Sequence, residues 1–153
     1  MFIIFIDADA CSVKDEIYRV AIRYSLKVEI IAKMPLRMPG NPLFNLVIKP
    51  DFGEVDDWIA EQTGPGDIVV TTDIPLAARC LEKGSLVLNA KGKQFTENYI
   101  GSALGMRSLM EELRQSGLAS GGPSPMNPKD RSRFLAKIDE MINAIKKAYP
   151  GKK

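Results

Sequence analysis

Residues 2–15 read FIIFIDADACSVKD, and this stretch decides the fold. Five apolar residues, Phe2 to Ile6, run without a polar interruption and give way abruptly to Asp7, Ala8, Asp9 and Ala10. A β-rich run without alternation is buried on both faces, the situation of a strand inside a parallel sheet. Ser12 with Asp15 three residues on reads as a capping box, and Val13, Ile17, Val20, Ala21 and Tyr24 then recur at helical spacing. The expectation is a strand that leads immediately into a helix.

The same alternation continues outward. Lys27 to Ile31 is a second β run, and Met34 to Pro42, with Pro35, Pro39, Gly40 and Pro42, can only be a long irregular loop, flanked and occupied by Lys33 and Arg37. Leu46 to Ile48 reads as a short third strand and Val55 to Gln62 as a helix opened by Asp56 and Asp57, ended by Gly64, Pro65 and Gly66. Ile68 to Thr72 is a fourth strand. Asp73 and Pro75 then start a helix that Gly84 closes, because proline suits a first helical turn and glycine a C-terminus. Ser85 to Leu88 supplies a fifth strand. The basic turn Lys91, Gly92, Lys93 leads into a helix with Ile100, Leu104, Leu109, Met110 and Leu113 on its apolar side. A Gly/Pro-rich loop, 120–128, reads as a hinge or lid before a last helix from about Lys129 to Ala148. This pattern predicts an α/β fold with a mostly parallel sheet and right-handed crossovers, and 153 residues suit one domain, 1–153.

Composition excludes whole classes of chemistry. The chain has no histidine, so Ser-His-Asp and Cys-His nucleophiles, His-bound zinc and an imidazole switch are ruled out. A net charge of +2 does not by itself argue for a polyanion partner. No apolar run approaches the roughly 20 residues of a membrane span, and the start lacks a basic leader, so a cytoplasmic protein without membrane association is expected. Cys11 and Cys80 read as reduced thiols packed in the core. Cys11 lies near a helix start, where a thiolate is favoured, but the neighbouring acids oppose that. Trp58 reads as core.

Ligands of a parallel sheet gather outside the carboxyl ends of its strands, and the acids fall there. Asp7 and Asp9 follow the first strand, Asp56 and Asp57 the third, and Asp73 the fourth. Taken singly, each aspartate is a credible helix cap. Together they repel one another, a cost that a cation relieves, and oxygen donors without histidine favour Mg²⁺ or Mn²⁺ over zinc. Asp7, Asp9, Asp56 and Asp73 are thus candidate metal ligands, with Asp7, Asp9 and Asp73 carrying the chemistry and Lys14, one turn into the first helix, neutralising charge. Asp67 falls at the opposite end of its strand and reads as a turn acid. Lys33, Arg37, Lys91, Lys93 and Arg107 are the cations available to a phosphate backbone. The C-terminal lysines read as a solvated helix end.

The segments Phe5 to Lys14 (FIDADACSVK), Arg37 to Pro39, Asp56 to Ile59, Gly66 to Ala78 (GDIVVTTDIPLAA), Leu88 to Thr96 and Gly121 to Arg131 resemble the uncharacterised bacterial YaiI/YqxD family. That family belongs to the wider PIN-like domain superfamily. The resemblance implies a three-layer α/β/α PIN-like domain whose characterised relatives are mostly metal-dependent ribonucleases. Asp7, Asp9, Asp56 and Asp73 match its acidic positions, and Asn89 a polar position after the fifth strand. Ser12 and Lys33 depart from the expected proline and asparagine. PIN-like domains often pair, so a homodimer is within the expectation.

The leading expectation is a Mg²⁺- or Mn²⁺-dependent hydrolase acting on the phosphodiester bonds of RNA or another nucleic acid. One alternative is a non-catalytic PIN-like module that binds nucleic acid or protein. Another is a haloacid-dehalogenase-like phosphatase, suggested by a strand ending in Asp-x-Asp. The placement of Gly66 and Asp67 before rather than after the fourth strand counts against that phosphatase.

Overall fold

The computed structural model describes residues 2–101 and 127–148. Strand β1 (Ile3–Asp7) is the centre from which the sheet winds both ways. To one side lie β2 (Lys27–Ala32) and β3 (Phe44–Ile48), and to the other β4 (Ile68–Val70), β5 (Leu86–Leu88) and β6 (Gln94–Phe95), in the order β3-β2-β1-β4-β5-β6. The first five are mutually parallel and β6 is antiparallel to β5. Register places Ile6 between Ile30 of β2 and Val70 of β4, which aligns the carboxyl ends of the central strands.

Because side chains alternate across a strand, β1 feeds two cores. Ile4 and Ile6, with Val28, Ile30, Ile68 and Val70, meet α1 (Lys14–Tyr24) and the long α5 (Pro128–Ala148), whose Phe134, Ile138, Ile142 and Ile145 point inward. Phe5, Ile31, Val69 and Val87 meet α2 (Glu54–Gln62) and α3 (Ile74–Glu82) on the other face. Ile100, from the helix α4 described over 97–101, joins that second core. The result is an α/β/α arrangement of three layers. The reversal of winding after β3 puts α1 on one face and α2 and α3 on the other, as right-handed crossovers require. The β2–β3 connection has no helix. Its proline-rich loop packs Leu36, Met38 and Leu43 against the α1 core, covering the face a crossover helix would cover.

Several local expectations are corrected. The first helix does not follow β1 directly: a 3₁₀ turn, Ala8–Ala10, intervenes, and α1 starts at Lys14 behind Val13 with no side-chain cap, so Ser12 and Asp15 form no capping box. Lys14 braces that turn: its Nζ donates to Ala8 O (2.9 Å), which also accepts the Cys11 N–H (3.4 Å), and to Cys11 O just beyond the turn (2.6 Å). Strand β3 begins two residues early, at Phe44, because Asn45 on its polar side bonds Glu29 of β2. The basic turn after β5 closes a short antiparallel pair instead of leading straight to a helix. Gly92 sits there at φ +85°, and a Cβ would fall 2.8 Å from the Arg133 carbonyl carbon of α5, so glycine is required on both counts. Leu104, Arg107, Leu109, Met110, Leu113 and the loop from Ser120 to Met126 lie outside the described residues, as do Lys152 and Lys153.

Candidate functional site: an acidic cleft at the switch point

In an open parallel sheet the winding reversal leaves a crevice at the strand carboxyl ends, because the loops on either side diverge. Here the reversal falls between β1 and β4. Asp7 terminates β1 and the 3₁₀ turn carries Asp9 just beyond it, while Asp73 follows β4 as the N-cap of α3 and Asp56 lies in the first turn of α2. All four line one cleft of about 540 Å³, together with Lys33, Phe52, Gly53, Val55, Thr72 and Ile74. Three separate loops therefore deliver four carboxylates to one depression.

The two inner acids are held firmly. Thr71, fully buried at the end of β4, donates its hydroxyl to Asp7 Oδ2 (2.8 Å) and accepts the Asp73 N–H (3.0 Å). Asp73 Oδ1 accepts the Leu76 N–H (3.0 Å), an N-cap assisted by Pro75 in the first turn. Among the described residues, Asp7 Oδ1 and Asp73 Oδ2 keep no hydrogen bond. Asp9 is exposed and Asp56 half-buried.

Electrostatics follow from this crowding. Asp7 is 5% exposed, and burial pushes its carboxyl up to about 6; the Thr71 hydroxyl pulls it back, and the charges of Asp56, Asp73 and Asp9 push it higher. Asp56 is also raised, first by partial burial and then by Asp73, with Arg79 and Lys33 opposing. The thiols are no alternative donors. Burial pushes Cys11 up to about 11 and Cys80 up to about 12, so both stay protonated within the core.

Such a donor set, carboxylate oxygen without imidazole or thiolate, fits a hard divalent cation in its chemistry. In its present geometry it is open. Among the described residues, no three acids or thiols are gathered closely enough to hold a metal ion. The side chains line the cleft rather than ring a point.

Of the remaining candidates the structure brings Lys33 to the cleft and leaves the others outside its lining. Lys14 lies outside that lining: its ammonium donates to the backbone carbonyls of Ala8 and Cys11 and so steadies the turn that carries Asp9. Arg37 is exposed in the β2–β3 loop. Asn89 Oδ1 accepts the N–H groups of Lys91 and Lys93 (both 2.9 Å), which organises the β5–β6 turn. Lys91 is exposed, and Lys93 Nζ lies 5.0 Å from the centre of the Tyr99 ring. Asp67 sits at the far end of the sheet, where Oδ1 accepts from Ile3 N (2.9 Å) and Oδ2 from Gly64 N (3.0 Å). Two residues escaped the sequence reading, Thr71 buried behind the cleft and Phe52 in its lining. Thr71 passes there for one more β-branched strand residue, and Phe52 for a loop residue without a partner.

Fold and cleft together define an α/β protein with an acidic site at its topological switch point. The chain belongs to the YaiI/YqxD family: the family model described as "Uncharacterized BCR, YaiI/YqxD family" matches residues 5–144. It is 51% identical over 152 residues to a UPF0178 protein of Rhodospirillum centenum, covering 96% of this chain and 99% of the relative. A UPF0178 protein of Rhodospirillum rubrum is 51% identical over 146 residues, with 94% and 97% covered. One from Bradyrhizobium sp. strain ORS 278 is 50% identical over 145 residues, with 94% and 88% covered. No solved structure matches the chain. None of the described helices is long and apolar enough to cross a membrane.

Proposed function

We propose that the protein is a Mg²⁺- or Mn²⁺-dependent nuclease that hydrolyses phosphodiester bonds of RNA or another nucleic acid in the cytoplasm. The observation that carries this reading is the convergence of Asp7, Asp9, Asp56 and Asp73, from three loops, on one cleft at the switch point. Such crowding is costly without a cation: burial first, and then the charges of Asp56, Asp73 and Asp9, push the carboxyl of Asp7 up. A divalent cation there would lower the pKa of a coordinated water and neutralise charge on a phosphoryl oxygen.

In this reading Asp7 and Asp73 are the fixed donors, because Thr71 and the α3 N-terminus hold them, while Asp9 and Asp56 turn inward on binding. Lys33 meets the phosphate backbone at the cleft. Arg37, Lys91 and Lys93 extend that contact along the same sheet edge, and Asn89 shapes the turn that carries the last two. One observation favours a second reading, a binding module without catalysis: the described carboxylates do not form a closed ligand set.

The experiment is cleavage of a mixed RNA and DNA panel with Mg²⁺, Mn²⁺ or EDTA, by wild type and Asp7→Asn. Metal-dependent cleavage lost in the variant supports the enzyme. Equal activity in both, or none with either metal, sinks it.

A further inference from the structure

We propose that Phe52 is a stacking platform for an unpaired base, and that it confines the cleft to single-stranded nucleic acid. The inference rests on the nucleic-acid reading of the cleft and names what that reading leaves open, the residue that selects the substrate. Phe52 is 99% exposed, the most exposed large apolar side chain among the described residues, and it lines the same cleft as Lys33 and the four aspartates. A phenylalanine wholly in water contributes nothing to the core, so folding does not explain its presence at this place.

Its presentation is orderly. The Asp51 N–H donates to Glu54 Oε1 and the Glu54 N–H donates to Asp51 O (both 3.2 Å), so the turn that displays the ring is closed on itself at the start of α2. Gly53 supports this turn at φ +79°. Lys33, across the β2–β3 side of the cleft, supplies positive charge close enough to act on Asp56. An aromatic face and a cation that line one cleft with a set of carboxylates match one nucleotide with its base on the ring and its phosphate toward the lysine. A paired base cannot reach the platform without leaving its stack.

The test uses a 5′-fluorescein 12-nucleotide RNA, its duplex, and the same strand with abasic positions, read by anisotropy in EDTA. Phe52→Ala should weaken single-strand binding about tenfold, the size of one base–aromatic stack, and leave duplex binding unchanged. Abasic strands should bind wild type as weakly as the variant binds the intact strand. Phe52→Trp should keep the affinity and show strand-dependent quenching beyond that of Trp58. Because the side chain is exposed, the variants should unfold like wild type.

Unchanged single-strand affinity in Phe52→Ala, or equal loss for strand and duplex, overturns the proposal. So does a variant that turns a dimer into a monomer in sedimentation while binding RNA as before, which would make the ring a contact between copies. Failure of the nuclease reading is separate: it shows as absent metal-dependent cleavage while the Phe52-dependent binding persists.

Discussion

Asp7 and Asp67 flank the same two neighbouring strands at opposite ends, and they are put to opposite uses. Asp67 gives both oxygens to backbone N–H groups, tying the start of β1 and the turn at Gly64 to the start of β4. Asp7 is more deeply buried, has one hydroxyl partner, and faces three further acids. A carboxylate surrounded by donors serves the fold. One surrounded by carboxylates strains it, a cost that the proposed cation would relieve.

Exchanging the two charges for neutral groups should separate these roles most sharply. Asp7→Asn should lower metal-dependent cleavage by about a hundredfold or more, measured as kcat/KM, because several kcal/mol of charge stabilisation are lost. The same variant should be more stable than wild type at pH 7.5 in EDTA, by up to about 3 kcal/mol in urea titrations. The sign follows from the raised carboxyl. Between pH 3.8 and about 6 the folded chain still holds a proton that the unfolded chain has released, so this contribution falls as pH rises and is constant above. The difference between wild type and variant should therefore grow across that window and level off. Magnesium should stabilise wild type and leave Asp7→Asn unmoved.

Asp67→Ala should do the reverse. It orphans the Ile3 and Gly64 N–H groups and should cost about 2–3 kcal/mol, with kcat unchanged well below its lowered Tm. Thr71→Val removes the hydroxyl that joins Asp7 to the Asp73 backbone. A tenfold loss of activity is expected, with the acid limb of the pH–rate profile moved upward, since that hydroxyl lowers the Asp7 carboxyl. The smallest effect is expected at the rim: Lys33→Ala should weaken RNA binding a few-fold and reduce the salt slope of log Kd by about one.

The architecture was legible where burial on both faces leaves an unbroken apolar run, as in Phe2 to Ile6 and Ile68 to Val70. Asp7, Asp9 and Asp73 were legible because they stand where such a run stops, and Asp56 because it falls at the start of the helix after β3. What escaped notice has physical causes. Two residues of β6 are too few to show a period. The start of α1 has no side-chain cap, and the lysine of its first turn bonds carbonyls three and six residues back, a local device that follows no capping motif. Thr71 and Phe52 are ordinary by type and become significant through a hydroxyl bond to Asp7 in one case and nearly complete exposure in the other. How closely the carboxylates gather is set by side-chain geometry, which strand-end positions alone do not specify.

The pairing of α1 with α5 bears on the order of synthesis. The Arg131–Glu16 ion pair (2.8 Å) and the Tyr24–Asp139 hydrogen bond each join residues 115 positions apart. On the ribosome the strands, α2 and α3 emerge with one face of the sheet already coverable, while Ile4, Ile6, Val28 and Ile30 on the other face meet α1 early and wait for the last helix to complete their cover. Ending translation before residue 128 would leave that face covered by α1 and the proline-rich loop alone, and a nascent chain stalled there is a form of this protein exposed to chaperones and to aggregation.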